Sequence, residues 1–126
     1  MKLNPDCIRD ILIVVEENSS FSNFLFSETF SNSEISKKYD WETILYHIRQ
    51  ANESGLLLDT RFFTGGSFAI TDLSPKGHQF LADIREEQNW NKTKKIANKV
   101  GSTSLAALTS IASSVISAAI NRHLGL

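Results

Sequence analysis

A pair of adjacent glycines, Gly65 and Gly66, separates two β-prone runs of the chain, residues 56–63 and residues 68–73. Glycine readily adopts the positive φ angles of tight hairpin turns, so this arrangement predicts a β-hairpin. A lone hairpin is only marginally stable in water. The rest of the chain must therefore supply helices on which the hairpin packs.

Two amphipathic helices are predicted before the hairpin. The first runs from about Asn4 to Asn18, with Asn4 as its N-cap. The second covers residues 41–53 and follows Asp40, which serves as its N-cap. The predicted core faces consist of Ile8, Ile11, Leu12 and Val15 in the first helix, and of Trp41, Ile44, Leu45 and Ile48 in the second.

The segment between these two helices carries weaker patterns. Phenylalanines at even spacing among serines predict a short extended segment over residues 21–30. The polar stretch 31–38 leaves a helical turn and a loop open as alternatives.

A third helix is predicted after the hairpin, because Ser74 and Pro75 are suited to an N-cap and a first helical position. Its apolar face consists of Phe80, Leu81 and Ile84. A charged continuation follows, anchored by Trp90 and Ile96, and Gly101 ends it.

This order of elements predicts an α+β chain, mostly α, with the plan of a winged helix-turn-helix. The β-hairpin is the wing, and a C-terminal helix is appended. We expect a winged-helix domain over residues 1–100 and an association helix over residues 101–126.

Three segments carry a resemblance to a known family. They are KLNPDCIRDILIVVEEN, YHIRQANESGLL and LSPKGHQFLADIREEQNWNKTKKIANKVG. The most specific positions are Gly77, His78, Phe80, Leu81, Ile84, Arg85 and Trp90, followed by Lys92, Lys94 and Lys95. Over most of residues 2–101 the chain resembles an uncharacterised family of small winged-helix proteins of bacteria and prophages. The resemblance implies a winged-helix fold and assigns no activity.

Composition and charge limit the possible classes of protein. With 126 residues and 41% hydrophobic residues, the chain has the profile of one globular domain. A single cysteine forms no internal disulfide, and the first residues lack the apolar run of a secretory signal, so we expect a cytoplasmic protein.

Charge is unevenly distributed along the chain. Residues 1–60 hold five Lys and Arg against ten Asp and Glu, whereas residues 61–126 hold eight against four. A polyanion-binding surface is therefore expected mainly in the second half.

No pattern in the chain predicts an enzyme, a metal site or a cofactor. His47, His78 and His123 are far apart and lack the spacing of metal ligands. Cys7 has the position of a small core residue. The turn at residues 64–67 joins two strands and lacks the Gly-Lys-Ser/Thr that ends a phosphate-binding loop.

Binding of double-stranded DNA is the first functional hypothesis, because the second helix of a helix-turn-helix enters the major groove. In this hypothesis Arg49 reads guanine and Gln50 reads adenine. The other candidate contacts are Lys37, Lys38, Thr43, Tyr46, His47 and Arg61. Glu42 and Glu53 on the same helix oppose phosphate binding. The alternative is that these polar residues form a solvated helix face.

The densest group of cations consists of Lys92, Lys94, Lys95 and Lys99. This basic patch could contact phosphate or an acidic protein. In the alternative reading the lysines solvate a helix whose Trp90 packs inward.

The final segment is unusual because residues 100–121 carry no charge. The segment is long enough to span a bilayer, but eight hydroxyl residues make a stable span marginal. Small residues every fourth position allow close helix packing, and an apolar stripe lies beside them. We predict a helix over about residues 104–123 that packs on a second copy, on its own domain or on a partner. Its association residues are Leu105, Leu108, Ser110, Ile111, Ser114, Val115 and Ala118.

Two functional classes result from the sequence. The first is a non-enzymatic DNA-binding regulator of bacterial or prophage origin that acts as a homo-oligomer. The alternative is a protein-interaction module whose C-terminal helix mediates oligomerisation or membrane association.

Overall fold

A computed structural model describes all residues from Met1 to Leu126. The helices are α1 (Pro5–Asn18), α2 (Ser27–Ser31), α3 (Ile35–Lys38), α4 (Trp41–Glu53), α5 (Pro75–Ile84), α6 (Glu87–Val100) and α7 (Leu105–His123). The strands are β1 (Leu25–Phe26), β2 (Leu57–Leu58), β3 (Arg61–Phe63), β4 (Ser67–Ile70) and β5 (Asp72–Leu73). The predicted α+β class with mostly helical structure is therefore confirmed.

The chain packs as two compact units, a first unit of residues 1–78 and a second unit of residues 79–126. This boundary differs from the predicted division at residue 100, because α6 packs on α7 within the second unit.

Helix α1 forms as predicted. The Asn4 side chain accepts a hydrogen bond from the Asp6 amide at 3.0 Å, which satisfies one free donor at the helix start. All four predicted core residues are buried, and Cys7 is buried beside them. Burial raises the pKa of the Cys7 thiol to about 12, so this cysteine has the environment of a packing residue.

Helix α4 also has the predicted bounds, and the Asp40 carboxylate accepts a hydrogen bond from the Thr43 amide at 2.8 Å. Its buried face differs from the prediction. Ile44 and Ile48 are buried as expected, but His47 and Ala51 complete the face in place of Trp41 and Leu45. The prediction assigned the core by apolar character alone, whereas a histidine with both ring nitrogens hydrogen-bonded can also be buried.

The segment before α4 is more helical than the sequence indicated. The extended prediction for residues 21–30 is correct only at β1, because α2 begins at Ser27 and turns Phe30 into the core. The Phe30 ring packs edge-on against Phe68 with centroids 5.2 Å apart. For residues 31–38 the sequence left a helical turn and a loop open. The structure has a helical turn, α3, at the C-terminal end of this stretch.

The predicted hairpin is confirmed as β3 and β4, which pair antiparallel with Phe63 opposite Ser67. The turn glycines have φ angles of +87° at Gly65 and +83° at Gly66, as the sequence implied. Strand β1 pairs with the other edge of β4, which gives a three-stranded sheet of order β1-β4-β3. A second, two-stranded ladder joins β2 to β5.

The second unit is helical. Residues 79–84 of α5 belong to this unit, and the three predicted core residues Phe80, Leu81 and Ile84 are buried. The predicted charged continuation is a separate helix, because the chain breaks helical structure at residues 85–86 before α6 begins. Trp90 anchors α6 in the core, with its ring 6.4 Å from that of Phe80. Ile96 is wrong as an anchor, since it is 36% exposed and Thr93 and Ala97 are buried instead.

Helices α6 and α7 form an antiparallel pair joined by a short turn at Gly101, which has a φ angle of +80°. The Ser104 hydroxyl accepts a hydrogen bond from the Ala107 amide at 3.1 Å and starts α7, as the sequence predicted. The side of α7 that packs on α6 is buried through Leu105, Leu108, Ala112 and Val115.

Candidate binding groove

An open groove of about 460 Å³ lies in the first unit between α4 and the β3–β4 hairpin. We call it the α4 groove. It is lined by Met1, Glu42, Leu45, Tyr46, Arg49, Phe62, Phe63, Gly66 and Ser67. Aromatic and aliphatic side chains make up most of this lining, and a concave apolar surface of this kind is typical of a binding site.

The hairpin is held beside α4 by Trp41. The Trp41 ring stacks on Phe68 with centroids 5.8 Å apart, and its Nε1 donates a hydrogen bond of 2.8 Å to the Gly66 carbonyl oxygen. A Cβ atom at Gly66 would lie 3.3 Å from Trp41 Nε1. Glycine at this position therefore allows both the turn and the close approach of the indole.

The α4 groove has one charged side chain of each sign. These are Glu42 and Arg49, which lie about two turns apart on the same side of α4. The Arg49 guanidinium lies over the Tyr46 ring, 5.9 Å from the ring centroid. The Tyr46 hydroxyl donates a long hydrogen bond of 3.5 Å to the Met1 carbonyl oxygen. The groove thus offers a stacked cation and a carboxylate above an apolar floor.

The predicted DNA-contacting residues are only partly brought together. Arg49 on α4, Arg61 on β3 and the two lysines Lys37 and Lys38 are exposed. Thr43, Tyr46 and Gln50 are partly exposed. His47 is wrong as a contact residue, because it is only 1% exposed. Its Nε2 accepts a hydrogen bond from the Asn4 amide, and its Nδ1 donates to the Thr43 carbonyl oxygen, both at 2.7 Å.

Lys37 and Lys38 end α3, and both are engaged with carboxylates. Lys37 Nζ lies 3.2 Å from Glu34 Oε1, and Lys38 Nζ lies 2.8 Å from Asp10 Oδ2. The hydrogen bond to Asp10 raises the pKa of Lys38. The Tyr39 hydroxyl donates to the same Asp10 oxygen at 2.9 Å, and burial together with this carboxylate raises the pKa of Tyr39. These lysines are therefore weaker partners for phosphate than their sequence positions indicate.

Sequence reasoning missed the apolar lining of the groove. Phe62 and Phe63 were assigned only to a strand, yet adjacent strand residues point to opposite faces. Phe62 points towards Phe68, 6.4 Å between centroids, and Phe63 remains 52% exposed. The sequence did contain a signal for this exposed apolar surface, namely two adjacent phenylalanines in one strand. Their rings lie on opposite faces of the strand, and a small sheet cannot bury both.

A second aromatic surface covers the outer side of the sheet. Phe24, Phe26 and Phe63 border a groove of about 480 Å³ that also includes Arg61 and Asp59. The rings of Phe24 and Phe26 meet edge-on with centroids 6.4 Å apart. Both rings are more than half exposed, so this face provides matched aromatic positions outside the α4 groove.

The basic patch lies on α6. Lys92, Lys95 and Lys99 are exposed, whereas Lys94 is partly buried with its Nζ 5.4 Å from the centroid of the Trp90 ring. Trp90 is 2% exposed. The inward packing of this tryptophan, one of the alternatives for the patch, is what the structure shows.

The association residues of α7 fall into two groups. Leu105, Leu108 and Val115 are buried and Ile111 is partly buried, so the apolar stripe packs within its own unit. The small residues Ser110, Ser114 and Ala118 are exposed. Helix α7 is the one helix whose length and composition would allow it to cross a membrane, and 22% of that stretch is buried. Homo-oligomerisation through α7 stays a prediction.

Titratable groups do not gather into a metal site. No group of three or more His, Cys, Asp or Glu side chains is placed to hold a metal ion. His78 Nε2 lies 3.8 Å from Asp72 Oδ1 on a half-exposed surface.

These features define an α+β protein with an aromatic groove beside a central helix and a basic helical pair at its C-terminal end. Residues 2–104 match the family DUF2513, which is described as a hypothetical protein. The chain belongs to this family, and its predicted membership of a family of unknown function is confirmed. No curated protein and no solved structure matches the chain.

Proposed function

We propose that the protein is a winged-helix interaction module that binds a segment of a partner protein in the α4 groove. The lining of the groove carries this proposal: exposed aromatic and aliphatic side chains with one carboxylate and one guanidinium. Met, Tyr, Phe and Arg are the residues enriched at protein interfaces, and the most important contacts lie in desolvated pockets.

The order of the elements supports the winged-helix assignment. Helix α1, strand β1 and the short helices α2 and α3 precede α4, and the β3–β4 hairpin follows it. In this proposal the hairpin is the wing and α4 is the helix that a winged helix-turn-helix presents to its ligand, and the sheet order β1-β4-β3 supports it.

Charge favours a protein over a nucleic acid as the ligand. Phosphate contacts supply most of the non-specific affinity for DNA and need an excess of cations. The first unit carries seven Lys and Arg against eleven Asp and Glu. Lys37 and Lys38, the cations nearest to the start of α4, lie within ion pairs.

The expected occupant is an amphipathic segment whose apolar side chains fill the space between Leu45, Tyr46 and Phe62. It carries a basic residue opposite Glu42 and an acidic residue opposite Arg49, separated by about 10 Å, the rise of two helical turns. The two complementary charges fix its direction in the groove.

A display library of random peptides, selected against the full-length protein, tests this proposal. We expect enriched peptides that share apolar residues and the two charges, and that bind Phe62→Ser at least about tenfold more weakly than the wild type. Phe24→Ser is the matched control, because Phe24 is also an exposed ring near the sheet but lies outside the groove.

A charge-exchange variant makes the test sharper. In Glu42→Arg/Arg49→Glu the groove keeps its net charge, and peptides with the two charges exchanged should be selected instead. No enrichment, or equal binding of the selected peptides to Phe62→Ser and Phe24→Ser, would contradict the proposal.

DNA binding is the second candidate, favoured by the accessibility of Arg49 and Gln50 on α4 and of Arg61 on the wing. A role as a regulator of bacterial or prophage genes rests on this candidate. Its test is the binding of pooled genomic duplexes across a salt series. Saturable, salt-sensitive binding that is lost in Arg49→Ala/Gln50→Ala supports DNA binding. Absence of binding at low salt supports the protein ligand.

A further inference from the structure

The second unit has the opposite charge balance to the first, with six Lys and Arg against three Asp and Glu. Lys92, Lys95 and Lys99 are exposed on α6, and none of them forms an ion pair. Their spacing of three and four residues places them on one side of the helix. The only acidic residue of α6 is Glu87, in the first turn. This arrangement is a continuous cationic surface.

The solvent-facing side of α7 lacks the charges that a surface helix normally carries. Its exposed positions before Ile120 hold only alanine and serine: Ala106, Ser110, Ser113, Ser114, Ser117 and Ala118. The first charged residue of α7 is Arg122, near its end. This side of α7 is therefore uncharged over most of its length, and α7 packs beside the cationic surface of α6.

A groove of about 310 Å³ follows the line where α6 and α7 meet. We call it the seam groove. Ile96, Ile111 and Val115 contribute apolar side chains to it, and Lys92 and Arg122 contribute two cations. On α6, Lys92, Ile96 and Lys99 succeed one another at spacings of four and three residues, so cations flank an exposed isoleucine.

We infer that the α6–α7 pair binds the surface of an anionic lipid bilayer through the seam groove and the exposed lysines of α6. The lysines contact lipid phosphates, and Ile96 and Ile111 enter the boundary between headgroups and acyl chains. A bilayer surface presents a layer of negative charge directly above an apolar layer, which matches cations beside exposed apolar side chains. This inference is independent of the α4 groove and its ligand.

The pair lies on the bilayer and does not span it. Helix α7 meets the length requirement for a span, but its buried side packs on α6. Helix α6 carries four lysines, which the hydrocarbon layer would exclude. Insertion of α7 alone would separate its buried side from α6.

Sedimentation of the full-length protein with vesicles tests the inference. One set of vesicles contains phosphatidylglycerol mixed with phosphatidylcholine, and the other contains phosphatidylcholine only. We expect binding to the anionic vesicles that weakens as salt rises and little binding to the neutral ones.

Charge reversal locates the surface. The variant Lys92→Glu/Lys95→Glu/Lys99→Glu should bind anionic vesicles at least about tenfold more weakly, and the corresponding glutamine variant should be weakened less. The control Lys2→Glu/Lys37→Glu/Lys76→Glu makes the same change of net charge on exposed lysines of the first unit. It should retain most of the binding. Ile96→Ser tests the apolar contribution and should weaken binding several-fold.

Three results would overturn the inference. They are equal binding to neutral and anionic vesicles, equal loss in the two charge-reversal variants, and membrane association that resists both high salt and alkaline carbonate, which indicates a span. The variant Phe62→Ser should bind vesicles as the wild type does, so failure of the proposed groove function and failure of this inference are distinguishable.

Discussion

The two units of this chain reach stable packing by different means. The first unit surrounds a small sheet with helices, buries large rings such as Phe30 and Phe68, and leaves other rings exposed beside α4. The second unit pairs helices through Leu, Ala and Val, with serine and alanine on the outside. The first unit is acidic and the second is basic. The two proposed binding surfaces therefore depend on different features: exposed aromatic rings in the first unit and exposed lysines in the second.

Each unit contains one of the two tryptophans, Trp41 in the first and Trp90 in the second. In a Trp90→Phe background the fluorescence therefore reports on the first unit, and in a Trp41→Phe background on the second. This pair of reporters allows the units to be compared in the same full-length chain.

The largest effect is expected for Phe68→Ala, followed by urea unfolding in the Trp90→Phe background. Phe68 is 1% exposed and contacts the rings of Phe30 and Trp41. The cavity should lower the free energy of unfolding of the first unit by about 3 to 5 kcal/mol. Phe24→Ala, at a ring that is 60% exposed, should change it by less than about 0.5 kcal/mol. Similar losses in both variants would contradict the assigned core.

The next effect concerns Gly77, in the first turn of α5. Alanine normally stabilises a helix relative to glycine by about 1 kcal/mol. Here a Cβ atom would lie 2.0 Å from the Leu56 carbonyl oxygen, so Gly77→Ala should instead destabilise the first unit by about 3 kcal/mol. Urea unfolding shows whether the free energy of unfolding falls or rises. A stabilised variant would show that α5 does not approach residue 56 so closely.

A smaller loss is expected for His47→Ala, which removes the acceptor of the Asn4 amide. An unpaired buried donor should lower the free energy of unfolding by about 1 to 3 kcal/mol, measured by thermal and urea unfolding. If the variant had unchanged stability but altered ligand binding, His47 would be a contact residue, as the sequence predicts, and not a buried structural residue.

The smallest effect is expected for Lys38→Met, because the Lys38 side chain remains 57% exposed in its ion pair with Asp10. Double-mutant cycles with Asp10→Asn should give a coupling of about 0 to 1 kcal/mol that falls as salt rises. A coupling that persists in high salt would mean that this pair is a structural element of the first unit.

Local patterns predicted much of the fold. Asn4 and Asp40 are strong N-caps before amphipathic runs, and Gly65-Gly66 fixes a hairpin turn, so α1, α4 and the hairpin were all predicted correctly. Periodicity over residues 27–31 was too short to indicate α2, because one helical turn depends on the packing of Phe30.

The candidate site was predicted less well, because it depends on contacts distant in the sequence. The burial of His47 requires Asn4, and the α4 groove requires the hairpin to approach Trp41. Ile96 is an apolar residue in a polar run, and for that reason the sequence predicts that it anchors the helix in the core. In the structure Thr93 and Ala97 are the buried residues of this part of α6. Polarity alone does not distinguish a partly exposed isoleucine from a buried threonine.

Hydrogen exchange of the full-length protein tests most directly whether the two units bind different partners. Exchange is compared for the protein alone, with a peptide selected on the α4 groove, and with phosphatidylglycerol vesicles. We expect the peptide to slow exchange in α4 and the β3–β4 hairpin, and the vesicles to slow exchange in α6 and α7. Protection of the same unit by both ligands would show that the two units do not bind different partners.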